Sequence, residues 1–162
     1  MKEVIALSKE IALEAGILYI EKFDENLPGK VQAILKGSEE AFSLFIKECL
    51  KRNKEAYVDF YQAQLSDEAM KKFLSLLSET QRQQAMCFEK VKGKYFFELN
   101  EDNYQFLATI TAREIFFSTF YFVDKKATLW GNYNLTYPLF CESDVDLLEY
   151  TLLARACGLE RV

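Results

Sequence analysis

Histidine is absent from the 162 residues. That absence removes Ser-His-Asp and Cys-His catalysis and every imidazole metal site. Glycine is scarce, at six residues, and GxGxxG, GxxxxGK[ST] and GxSxG do not occur. Neither a phosphate-cradling loop nor a nucleophile elbow is therefore expected. The four cysteines, Cys49, Cys87, Cys141 and Cys157, form no CxxC pair and show no zinc spacing. No apolar run approaches the ~18 residues a membrane helix needs. No N-terminal stretch joins a basic region, an apolar run and a small-residue cleavage site. Positive charge is in deficit too: the formal charge is −5, against the basic surface that nucleic-acid binding draws on. Together these absences describe a cytoplasmic protein with reduced thiols, bound to neither nucleic acid nor membrane and needing no cofactor.

Apolar and aromatic material is abundant. Half the residues are hydrophobic and 15% are aromatic, which argues against disorder. A chain of this length buries roughly 70% of its unfolded surface, so one domain spanning residues 1–162 is expected. The densest aromatic stretch, residues 113–141, holds the single tryptophan, Trp130. Residues 115–123 (IFFSTFYFV) and 127–133 (ATLWGNY) read as two strands of a hairpin around Asp124-Lys125-Lys126. A three-residue loop would pair Val123 with Ala127 and Phe120 with Trp130; a change of one residue in the loop would alter every partner. Pro138 cannot donate to a ladder, so residues 137–141 are expected at a sheet edge or in a loop.

Helical spacing dominates elsewhere. Val4, Leu7, Ile11, Ala15 and Leu18 predict a helix over 2–23, with Gly16 inside it. The segment 24–29, ending in Pro28-Gly29, is a break. Residues 31–35 fit a short helix or a short strand, with helix preferred. Ser38 caps a second helix whose apolar stripe, from Phe42 through Tyr57, Phe60 and Tyr61, suggests about six turns. Ser66 caps a third, and the polar run 78–84 extends or ends it. Lys92-Gly93 marks a hairpin between 85–91 and 94–99. Asn100 caps another helix. Ser143 opens the last, with Val145, Leu148, Leu152 and Ala156 as its apolar face and Leu147 and Leu153 at the margins. The expected fold is α+β: a layer of three helices in about 1–84, then a mainly antiparallel sheet of aromatic hairpins in about 85–162, with a C-terminal helix.

No motif specifies a reaction. Glu142, Asp144 and Asp146 sit where a helix N-terminus favours acids, so capping explains them better than a cation site. Those acids also oppose a lowered pKa at Cys141. No catalytic or metal-binding residue is assigned. The leading expectation is a non-enzymatic module that binds a protein partner or a second copy of itself through aromatic sheet or helix surface. A second is a binding domain for a small apolar or aromatic ligand, lined by Tyr121, Trp130, Asn132, Tyr133 and Tyr137. An enzyme using Glu114, Cys141 or Asp144 ranks last.

Overall fold

In the computed structural model the described residues are 1–24 and 27–162; Glu25 and Asn26, placed in the 24–29 break by the sequence, lie outside them. The elements run α1 (Lys9–Ala15), β1 (Val31–Lys36), α2 (Glu39–Arg52), β2 (Ala56–Asp59), α3 (Asp67–Ser75), α4 (Glu79–Met86), β3 (Phe96–Glu98), α5 (Tyr104–Ala112), β4 (Thr119–Phe122), β5 (Ala127–Trp130), β6 (Thr136–Cys141), α6 (Asp144–Cys157) and β7 (Glu160–Arg161). The architecture is α+β. Among the described residues one seven-stranded sheet has the order β3-β2-β4-β5-β6-β1-β7, with every neighbouring pair antiparallel.

Local chemistry starts most of the helices. Ser8, Ser38, Ser66, Ser78 and Ser143 each accept a hydrogen bond from the backbone N–H three residues on. At Ser78 the Gln81 side chain answers back to complete a capping box, so the polar run 78–84 forms a helix of its own. Asn100 does not cap α5: its side chain accepts from Asp102 N–H, and Asn103 occupies the cap position.

Several expected boundaries move. The helix foreseen over 2–23 is confined to Lys9–Ala15. Gly16 ends it at φ 102°, in the left-handed region open to glycine. Upstream, Val4 and Leu7 are extended and bridge Phe88 and Phe96, which takes their apolar side chains out of any helix. Residues 31–35 are strand rather than helix. Val31, Ala33 and Leu35 join the main core, while the intervening Gln32 and Ile34 turn to the other face. The second helix stops at Arg52 because the Asn53 side chain donates to Cys49 O and to the Tyr150 hydroxyl, drawing the chain into β2. Tyr57 therefore belongs to a strand.

The aromatic hairpin forms with a shifted register. Thr119 pairs with Trp130, Phe120 with Leu129, Tyr121 with Thr128 and Phe122 with Ala127. The loop takes four residues because its backbone is bound elsewhere: Val123 N–H donates to Glu55 O, and Lys125 N–H donates to the Asn53 side chain. Trp130 consequently shares a face with Tyr121, not with Phe120. The first strand is also shorter than 115–123, since residues 113–118 turn from α5 into β4.

β6 is interior, flanked by β5 and β1, despite Pro138. Ile34 O accepts from Val162 N–H, so the polar groups of Ile34 face away from its partner Pro138. The proline nitrogen then points toward β5, and that pairing ends at Leu129–Leu139, one residue short of where a donor would be needed.

The two faces of the sheet are covered differently. Phe42, Phe45, Ile46 and Cys49 of α2 lie in one core with Leu35, Val58, Phe120, Leu129 and Leu139, alongside residues of α5 and α6. A knot of rings extends that core: Phe60 meets Phe73, Phe88, Phe106 and Phe116 at centroid separations of 5.1–6.1 Å. On the other face the chain after α1 crosses as a strap. Ile17 packs near Phe96 and Tyr121, and Leu18 and Ile20 pack near Phe140 and Trp130.

Candidate interaction surface

The five residues proposed to line a ligand pocket fall in three places. Tyr121 and Trp130 are on the strap face. There Trp130 is half-buried against Phe140 (5.4 Å) and Phe23 (6.5 Å), with Leu18, Ile20 and Leu27 in the same cluster. The chain's own strap thus supplies the apolar neighbours that a ligand would have supplied. The Thr128 hydroxyl donates to Leu18 O and anchors the strap there. Tyr137 is on the opposite face, buried and stacked on Phe42. Asn132 and Tyr133 lie on the exposed loop between β5 and β6, where Tyr133 meets Phe117 edge-on at 4.9 Å. The five therefore do not line one cavity.

That loop is backed by an unusual backbone. Glu114, Asn134 and Leu135 all have positive φ, at 58°, 61° and 55°. The Glu114 carboxylate accepts Asn134 N–H at 3.0 Å, so two of these residues are tied to each other. Arg113 beside it forms a bidentate pair with Glu39, at 2.8 and 3.0 Å. Glu114 thus holds a loop in place, and Arg113 clamps the turn after α5 to the start of α2.

The thiol and the carboxylates are arranged unfavourably for catalysis. Cys141 is buried, and burial, with Asp146 adding to it, pushes its thiol up to about 12. A group so rarely ionised is a poor nucleophile. Asp144 sits exposed in the first turn of α6, and Asp146 N–H is capped by Ser143. Among the described residues no three Cys, Asp or Glu side chains are placed to hold a metal ion.

One carboxylate is unusual, and sequence reasoning passed over it. Asp59 is buried at the end of β2, where one oxygen accepts Thr119 N–H at 2.7 Å and the other accepts the Tyr121 hydroxyl at 3.2 Å. Burial pushes this carboxyl up to about 7, against the opposing pull of those hydrogen bonds. Its role is to extend the β2–β4 pairing past Val58–Phe120. The signal in the sequence was an acid following the apolar pair Tyr57-Val58 in a strand.

The largest departure from the sequence reading is α6. The face that points inward carries Leu147, Tyr150 and Ala154. The expected inner face instead points outward: Val145, Leu148 and Leu152 are 67%, 59% and 57% exposed. Both stripes have helical spacing, so periodicity alone does not choose between them. Tyr150 decides, because its hydroxyl donates to Lys125 O at 2.6 Å and accepts from the Asn53 side chain at 3.1 Å. A phenol so matched anchors its own side of the helix inside. Outside, Thr151, Leu152 and Arg155 form a groove with Leu159, Glu160 and Arg161 at the edge strand β7.

These features define an α+β protein with most helices on one face of an antiparallel sheet, α1 and a strap on the other and an uncovered apolar stripe along α6. Compared with protein-family models, curated proteins and solved structures, the chain matches none. Among the described residues no helix is long and apolar enough to cross a membrane.

Proposed function

We propose that this chain is a non-enzymatic protein-interaction module whose docking face is the outer side of α6. The observation that carries this reading is the exposed row Val145, Leu148 and Leu152, at i, i+3 and i+7 on a helix whose other side is fully engaged in the core. Burying a Leu or Val side chain is worth about 1.5–3 kcal/mol. Three in a row are an uncommon solvent surface and a common partner surface. The raised Cys141 thiol and the scattered helix-end acids give an enzyme little to work with. The small-ligand reading is weakened by Phe23 and Phe140, which already pack against Trp130.

The test is photo-crosslinking in the intact host, with benzoylphenylalanine placed at Leu148 and, as a control, at Leu76, an exposed leucine just after α3. Adducts from position 148 and none from 76 are expected. Equal adducts from both, or none from 148, would overturn the assignment of the docking face.

A further inference from the structure

Resting on that reading, we infer that the partner is a second copy of this chain, bound through α6 against α6 in an antiparallel two-fold arrangement. The order of side chains along the outer face carries this. From the N-terminal end it reads Asp144, Val145, Leu148, Leu152, Arg155: an acid, three apolar residues, a base. At 100° per residue these five fall within one stripe of about 100°. A two-fold axis midway between Leu148 and Leu152 sets each residue i opposite 300 − i. Leu148 then meets Leu152 of the second copy, and Val145 meets Arg155. The Cα of Arg155 comes within one residue's rise, about 1.5 Å along the axis, of the level of Asp144 in the other helix.

Two features favour this antiparallel two-fold. First, neither Asp144 nor Arg155 makes an ion pair within the chain among the described residues, whereas Glu149 and Glu142 at the margin are engaged by Lys125 and Lys126. Glu160 and Arg161 beside the groove and Asp146 on the far side of α6 are likewise in no ion pair; Asp144 and Arg155 are the two on the stripe itself, and the two-fold brings them together twice. Second, the antiparallel sense sets the positive end of each helix dipole against the negative end of the other. A parallel pair would oppose Asp144 with Asp144 and Arg155 with Arg155. The contact is small, since a 14-residue helix is about 21 Å long. A reversible dimer with a dissociation constant on the order of micromolar follows, rather than an obligate one.

Sedimentation equilibrium on the full chain tests this. The apparent mass is expected to rise with concentration from 18.9 kDa toward twice that value. A Leu148→Lys/Leu152→Lys variant is expected to stay monomeric, with a melting curve that matches the parent's at concentrations where the parent is monomeric, since both positions are in solvent in the single chain. Asp144→Arg and Arg155→Asp are each expected to weaken the dimer roughly five- to tenfold, because each reverses two contacts. Combined in one chain they are expected to restore it, which only the antiparallel register allows. A chain that is monomeric at every attainable concentration, or a combined variant no tighter than the single ones, overturns the inference. Masses of the Leu148 crosslinks separate the two readings: adducts only to another protein sink the two-fold while the docking face stands, and no adduct at all sinks both.

Discussion

Tyr137 lies face to face on Phe42, with ring centroids 3.8 Å apart and planes 5° from parallel. Its hydroxyl is sealed from water and has no hydrogen-bond partner among the described residues. A buried hydroxyl without a partner costs about 1–3 kcal/mol, while the stacked ring contributes packing. Tyr137→Phe is therefore expected to raise stability by roughly 1 kcal/mol, and Tyr137→Ala to lower it by about 3–5 kcal/mol. Urea denaturation of the two variants checks both signs. A Phe variant less stable than the parent would mean that the hydroxyl has a partner.

Asp59 makes stability depend on pH. Its folded-state pKa, about 7, lies above the ordinary 3.8. Between those values the folded chain holds a proton that the unfolded chain releases. Stability from this group is thus fully present below about pH 4, falls as pH rises toward 7 and is level above it. The difference is on the order of 4 kcal/mol. Asp59→Asn keeps an acceptor for Thr119 N–H and cannot ionise. The variant is expected to match the parent near pH 4 and to exceed it at pH 8, as read from denaturation midpoints across that range. Parallel pH profiles for the two proteins would contradict the assignment.

Asn53 joins three parts of the molecule. Its amide donates to Cys49 O at the end of α2 and to the Tyr150 hydroxyl of α6, and its oxygen accepts Lys125 N–H from the hairpin loop at 2.9 Å. Asn53→Ala leaves Cys49 O and Lys125 N–H without this partner and takes one of the two hydrogen bonds from the Tyr150 hydroxyl, and is expected to cost about 2–3 kcal/mol. It should also weaken the docking face, since Tyr150 sets which side of α6 points outward. Hydrogen exchange is expected to quicken in α6 beyond the loss in global stability; a uniform change across the sheet would count against this coupling.

Gly131 is required by a close approach. A Cβ there would lie 2.3 Å from Thr111 Cγ2 and 3.1 Å from Ser118 O. Thr111 is held in place because its hydroxyl accepts Ser118 N–H at 3.2 Å and donates to Phe116 O at 3.4 Å. Gly131→Ala is expected to cost about 1–3 kcal/mol. Adding Thr111→Ser removes the clashing methyl and keeps the hydroxyl, so the pair should recover most of the loss. Melting temperatures of the single and double variants decide it, and simple additivity would locate the strain elsewhere.

Some of this was legible in the residues alone. The serine caps at 38, 66 and 143 depend on neighbours within a few positions, and each formed where the local pattern placed it; the aromatic hairpin also formed, but with another register. The α+β class followed from the same patterns. Local signals also misled: the apolar spacing over 2–23 ignored what Gly16 permits at φ 102°, and the preference for a helix at 31–35 ignored the alternation that sends Val31, Ala33 and Leu35 to one core.

What only the tertiary structure decided was the assignment of faces. One added residue in the 123–126 loop carried Trp130 to the strap side, because Asn53 and Glu55, some 70 positions earlier, hold that loop. Strand interior or edge at Pro138 depended on where β5 stops. Above all, α6 carries two apolar stripes of equal period, and the choice between them rests on one phenol reaching Asn53 and Lys125. Periodicity measures how a helix can be divided into sides. Which side meets water is set by polar groups that must find partners across the fold, and those partners are distant in sequence.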